Sequence, residues 1–141
     1  MRSISVQFIQ SNIWLILIAL ASGIMLLWSL VGNRLRGVKE VDCAGALQLI
    51  NHKEALVLDV REAEEFSGGH LLNAKHIPLG KLRERVGELE RQREKPLLVV
   101  CRSGQRSATA CAVLGREGFA QVYNLSGGVM AWQKANLPLE K

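Results

Sequence analysis

The stretch Leu97-Leu98-Val99-Val100-Cys101-Arg102-Ser103-Gly104-Gln105-Arg106-Ser107 decides how this chain is read. Four consecutive apolar residues predict a strand buried on both faces, as in a parallel sheet covered by helices. The strand delivers Cys101 to its carboxyl end, and a short polar turn then opens into a helical segment, Ala108 to Glu117. A thiol held there faces backbone N–H groups, the positive end of a helix and two arginines. Each of these favours the thiolate, and together such influences draw a cysteine pKa from about 8.5 to roughly 3.5–7.5. A reactive, anion-facing sulfur is the first expectation.

Working outward, the run Ala55 to Val60, apolar but for the acid Asp59 near its end, reads as a second buried strand, and Gln121 to Leu125 as a third. Asp42 is placed to cap a helix through Leu47, Leu49 and Ile50. Arg61 to Phe66 predicts a helical turn, and Ala74 to Leu79 a short extended piece. Leu82, Val86 and Leu89 recur at helical spacing within a charged run that reads as a solvated face. Ala108, Cys111, Ala112 and Gly115 fall at i, i+3, i+4 and i+7, a small-residue face suited to close packing on a sheet. Ser126-Gly127-Gly128 turns into a last helix, Val129 to Lys134. Strands alternating with helices predict an α/β architecture with a parallel sheet, whose sites lie beyond the strands' carboxyl ends. Asp59 to Arg61, Cys101 and Asn124 to Gly128 are therefore expected to meet.

The chain of 141 residues exceeds one small domain, and the excess lies at the start. Residues 13–31 carry no charge and span roughly 28 Å as a helix, close to a hydrocarbon core of about 30 Å. Trp14 and Trp28 stand near its two ends. The stretch lacks the basic leader and small-residue cleavage site of a signal peptide. It is expected to be a retained transmembrane helix, with a short tail at 1–12 before it and a basic linker at 32–39 after it. Arg34, Arg36 and Lys39 follow the span while only Arg2 precedes it, which orients the C-terminal domain to the cytoplasm.

Eighteen Lys+Arg against 13 Asp+Glu give a net charge of +5, suited to anionic headgroups or an anionic substrate. A single Tyr and interleaved charges argue against a nucleic-acid partner. The three cysteines, Cys43, Cys101 and Cys111, lack C-x-x-C spacing, so neither a disulfide framework nor a zinc site is indicated, and no metal or cofactor is expected. Cys111 falls on the small-residue helix face and reads as core; Cys43 reads as a plain helix residue.

Five segments in this order resemble the rhodanese (sulfurtransferase) family, over about Glu40 to Leu137. They are Leu58-Asp59-Val60-Arg61 with Glu65-Phe66; Gly69-His70-Leu71; Ile77-Pro78-Leu79; Cys101 to Ser107; and Asn124 to Gly128 with Ala131-Trp132. The chain looks most like the bacterial single-domain type with an N-terminal membrane anchor. Asn73 and His76 depart from the usual residues, which touches local turn shape only. The resemblance implies about five parallel strands flanked by helices on both faces, a rhodanese domain at 40–137 and a short tail at 138–141. It also implies that Cys101 is the nucleophile at the base of a six-residue loop. Cys101 would take sulfane sulfur from a small anionic donor such as thiosulfate, become a persulfide, and pass it to a thiol or cyanide acceptor. Arg102 and Arg106 suit an anionic donor, Ser103 and Ser107 supply further hydrogen bonds, Gly104 lets the loop curl, and Gln105 completes the donor-binding set. Asp59 and Arg61 read as organisers of the site wall, His70 and His76 as structural, and Trp132 as core. The implied location is a bacterial cytoplasmic membrane, crossed once.

Two other functions fit the same segments. A cysteine phosphatase shares the strand–Cys–loop–helix layout but places arginine six residues after the cysteine; here Arg106 is the fifth and Ser107 the sixth. A membrane-tethered interaction module, with a membrane protein as partner, would keep the fold without the catalysis.

Overall fold

A computed structural model describes the backbone of residues 4–35 and 38–141, and the side chains of 6–29 and 38–141. The chain divides into two units, Met1–Leu35 and Arg36–Lys141.

The first unit holds two helices, α1 (Ile4–Ser11) and α2 (Ile13–Leu35). The expected tail at 1–12 is thus helical from Ile4. Asn12 marks the junction, its side-chain amide donating to the Phe8 carbonyl at 2.9 Å. Among the described residues no helix is long and apolar enough to cross a membrane, so the transmembrane helix expected over 13–31 is not shown. Leu30 and Val31 have side chains outside the described residues.

The second unit is built on a five-stranded sheet: β1 (Val38–Val41), β2 (Leu56–Asp59), β3 (Lys75–His76), β4 (Pro96–Val100) and β5 (Gln121–Leu125). Its order is β1-β5-β4-β2-β3 and every pairing is parallel. Among the described residues it also holds five α-helices, α3 (Cys43–Lys53), α4 (Ala63–Ser67), α5 (Leu82–Arg85), α6 (Gln105–Arg116) and α7 (Gly128–Lys134), and two short 3-10 turns. The Asp42 carboxylate caps α3 by accepting from the Gly45 N–H at 2.8 Å, as expected.

Alternation along the strands sorts the core into two layers. Leu97, Val99 and Cys101 face one side with Ala110, Cys111 and Leu114 of α6. Leu98 and Val100 face the other with Ala46 and Leu49 of α3 and Val129 and Trp132 of α7. Cys101 therefore points toward α6 because it continues the odd-numbered face of β4.

Four expectations are corrected. The linker read at 32–39 is shorter: α2 continues to Leu35, and Val38 and Lys39 belong to β1, paired with Val122 and Tyr123 of β5; Arg36 and Gly37 lie outside the described residues. With only Val38 and Val41 apolar, this edge strand carries too little hydrophobic pattern to be legible alone. The α6 face toward the sheet is Ser107, Ala110, Cys111 and Leu114, one residue offset from the small-residue stripe; Leu114 offers more apolar surface than Gly115 and takes the core position. The run Leu82 to Leu89 forms α5 and then a 3-10 turn, Val86–Gln92, in place of one α-helix, while still burying Leu82 and Leu89. The tail at 138–141 is tied down: His70 and Glu140 exchange backbone hydrogen bonds at 2.9 and 2.8 Å, and the Trp132 indole donates to the Pro138 carbonyl at 3.0 Å.

Candidate active site

The neighbouring carboxyl ends of β2, β4 and β5 bring Arg61, Cys101 and Asn124 to one edge, as the topology requires. Cys101 is 1% exposed and sits under the loop that leads into α6. The Gly104 N–H donates to its Sγ at 3.0 Å, and the Ser107 Oγ lies 3.3 Å from the same atom. Burial is the largest single influence on this thiol and raises its pKa. The Ser107 hydroxyl and the N–H groups of Ser107, Gly104 and Ser103 act the other way, and the net shift is downward. The remaining cysteines behave oppositely: burial pushes Cys111 up to about 12 and also raises Cys43.

The loop presents amides to the sulfur because its carbonyls are engaged elsewhere. The Val129 N–H donates to the Cys101 carbonyl at 2.8 Å, and the Met130 N–H to that of Arg102 at 3.1 Å. These close approaches require Gly128. It has φ +60°, and a Cβ there would lie 2.3 Å from the Cys101 carbonyl oxygen and 2.5 Å from that of Arg102. Gly104 takes φ +101°, where α6 begins, and this turns its N–H inward.

Four of the expected donor-binding residues line two clefts, and the fifth is held in an ion pair. Arg102 lines a cleft of about 370 Å³ with Arg61, Glu64, Glu65 and Met130. Ser103, Gly104 and Gln105 line a second cleft of about 360 Å³ with Glu40, Asn124 and Ser126. Arg106 is already engaged: its Nη1 and Nη2 donate to the two carboxylate oxygens of Glu65 at 2.7 and 2.8 Å. That guanidinium is the main reason the Glu65 carboxyl is held down at about 2. The Glu65 carboxylate also accepts from the Glu62 N–H at 3.0 Å, fixing the start of α4.

Asp59 and Arg61 form a buried pair, with Arg61 Nη2 2.7 Å from Asp59 Oδ2 and donating also to the Gly69 carbonyl at 2.8 Å. Every carboxylate oxygen of Asp59 meets a donor from Arg61, so the pair braces the wall. His70 and His76 stack on Phe66 at 3.8 and 4.4 Å between ring centroids, and each ring has a nitrogen against a backbone carbonyl.

Three residues gain individual roles that were not assigned to them: Glu65, and Asn124 and Gly128 of the segment expected to meet Cys101. Asn124 Oδ1 is 2.6 Å from Ser107 Oγ, while its Nδ2 donates to the Gly104 carbonyl at 3.1 Å and faces Glu40 Oε1 at 3.4 Å. The sequence displays all three as motif residues, and the strand-end rule brings Asn124 and Gly128 near Cys101, but nothing in it states which atoms they engage.

A parallel sheet with a loop-held cysteine at its edge defines a class of fold, and comparison names it. The family model for the Rhodanese-like domain matches residues 43–135, and the chain belongs to that family. It is 37% identical over 103 residues to YibN of Escherichia coli, covering 72% of each chain. A sulfurtransferase of Allochromatium vinosum is 34% identical over 103 residues, covering 72% of this chain and 94% of that protein. The match to YqhL of Bacillus subtilis, 40% identical over 81 residues, covers 57% of this chain but only 63% of that protein. Among solved structures, a rhodanese-related protein from Thermoplasma volcanium has TM-score 0.65 and 34% identity, covering 72% of this chain and 97% of its own.

Proposed function

We propose that this protein is a sulfurtransferase that moves sulfane sulfur through a persulfide on Cys101, with a small anionic donor such as thiosulfate. The observation that carries the reading is Cys101 Sγ, buried beneath the loop yet 3.0 Å from the Gly104 N–H. The Cys101 thiolate attacks the outer sulfur of the donor. The donor's sulfur–sulfur bond breaks, and sulfite departs with the bonding pair. The new terminal sulfur keeps a negative charge, which amides aimed into the loop stabilise before and after the step. A thiol or cyanide acceptor then attacks that terminal sulfur, and Cys101 leaves as thiolate. The sulfurtransferase named among the relatives supports the same chemistry.

Attachment to a membrane through residues 13–31 is part of the proposal. The uncharged sequence supports it, as do exposed apolar side chains including Trp14, Met25 and Trp28 at 76–77%. The basic residues after that segment favour a catalytic unit in the cytoplasm of a bacterium. Incubating the full chain with thiosulfate and measuring intact mass tests the central reading. One added sulfur on wild type, absent in Cys101→Ser, supports it; a wild type that gains sulfur neither from thiosulfate nor from a hydropersulfide leaves the membrane-tethered interaction module as the better reading.

A further inference from the structure

The loop carries two arginines, yet only one guanidinium faces the cleft uncommitted. Arg106 lies bidentate against Glu65, whereas Arg102 makes no ion pair among the described residues. In the Arg102 cleft, Arg61 is likewise balanced by Asp59, and Glu64 adds a further carboxylate. The Arg102 cleft, with the Glu65–Arg106 pair on its wall, is therefore close to neutral, although the Cys101 loop is basic in sequence. A fully charged well for a dianion would require Arg106 to be released.

We propose that Glu65 is the residue that sets donor specificity by charge. By occupying Arg106, it disfavours the dianion thiosulfate and favours persulfides that bring at most one negative charge to the reacting sulfur. This assignment rests on the sulfur-transfer reading above. In both cases the Cys101 thiolate bonds to the donor's outer sulfur and the donor's S–S bond breaks. Thiosulfate releases sulfite with its pair of electrons; a hydropersulfide R–S–SH releases the thiolate R–S⁻, leaving Cys101 as the hydropersulfide. The carboxylate of Glu65 repels the first donor about twice as strongly as a singly charged one, since Coulomb energy scales with the product of charges.

Glu65→Gln removes the charge while its amide oxygen still accepts from the Glu62 N–H. Sulfur uptake on Cys101 is followed by intact mass for the full-length wild type and variant, with thiosulfate in one arm and cysteine hydropersulfide in the other. The expected result is a rise of roughly tenfold in the thiosulfate rate constant and about threefold or less with the hydropersulfide. The thiosulfate gain should shrink at high salt. The hydropersulfide arm also reports whether the variant remains folded and competent. Equal changes in both arms, or a fall with thiosulfate alone, overturns the role of Glu65 and leaves sulfur transfer standing. No uptake from either donor by either protein overturns the sulfur-transfer reading and this assignment with it.

Discussion

The Ser107 hydroxyl lies between Asn124 Oδ1 at 2.6 Å and Cys101 Sγ at 3.3 Å, with one proton to give. Asn124 cannot turn its amide around, because its Nδ2 donates to the Gly104 carbonyl. Oδ1 therefore competes with the sulfur for the Ser107 proton. Ser107→Ala should raise the midpoint of Cys101 alkylation against pH and slow the reaction several-fold at neutrality. Asn124→Ala should free the proton for the sulfur and lower the midpoint. It should also cost roughly 0.5–1.5 kcal/mol in stability, because the half-buried Gly104 carbonyl loses one donor and keeps the Ala108 N–H at 3.2 Å. Opposite movements of the two midpoints are the expected signature; movement in the same direction would remove the competition.

Gly128→Ala should be severely destabilising. Its methyl would collide with the Cys101 and Arg102 carbonyls and demand a positive φ from an L-residue. Relieving that clash must separate α7 from the loop. A loss of about 3 kcal/mol or more is expected, alongside a slower Cys101. Thermal melting and alkylation of the same sample check both parts; an unchanged melting temperature would show that the close approach is dispensable.

The Asp59–Arg61 pair gives a different pattern. Asp59→Asn leaves Arg61, 5% exposed, without its counter-charge, a change that typically costs about 3–5 kcal/mol. Replacing both with apolar residues of similar volume should recover much of that loss in urea denaturation. Failure to recover it would mean that the Arg61 bond to the Gly69 carbonyl matters more than the pair.

Glu65 also makes a pH prediction. Its folded pKa, about 2, lies below the ordinary value of 4.5 because of Arg106. A depressed folded pKa stabilises above the unfolded value and is lost as pH falls through the folded one. The stability difference between wild type and Glu65→Gln should therefore be flat near neutrality and shrink from about pH 4.5 toward 2. A difference that persists unchanged across that interval would contradict the pairing.

Much of this site is legible in sequence because local chemistry writes it there. The β4 run delivers Cys101 through alternation alone, and Gly104 stands where the loop must curl. Asp42 announces the start of α3 in the same way. What escapes is non-local. Glu65 and Arg106 are 41 residues apart, and neither residue type shows that the other has claimed it. Gly128 reads as a turn until α7 is seen resting on the carbonyls of Cys101 and Arg102. β1 is hidden because an edge strand with one valine at each end gains its identity from pairing with β5.

The acidity of Cys101 tests the whole reading most directly. Cys43 and Cys111 are both shifted upward, so alkylation at neutral pH should be selective, and intact mass with Cys101→Ser as control would verify the site. The rate of Cys101 alkylation against pH is expected to show a midpoint below the ~8.5 of an ordinary cysteine. A midpoint at or above that value would contradict a loop that holds the sulfur as thiolate.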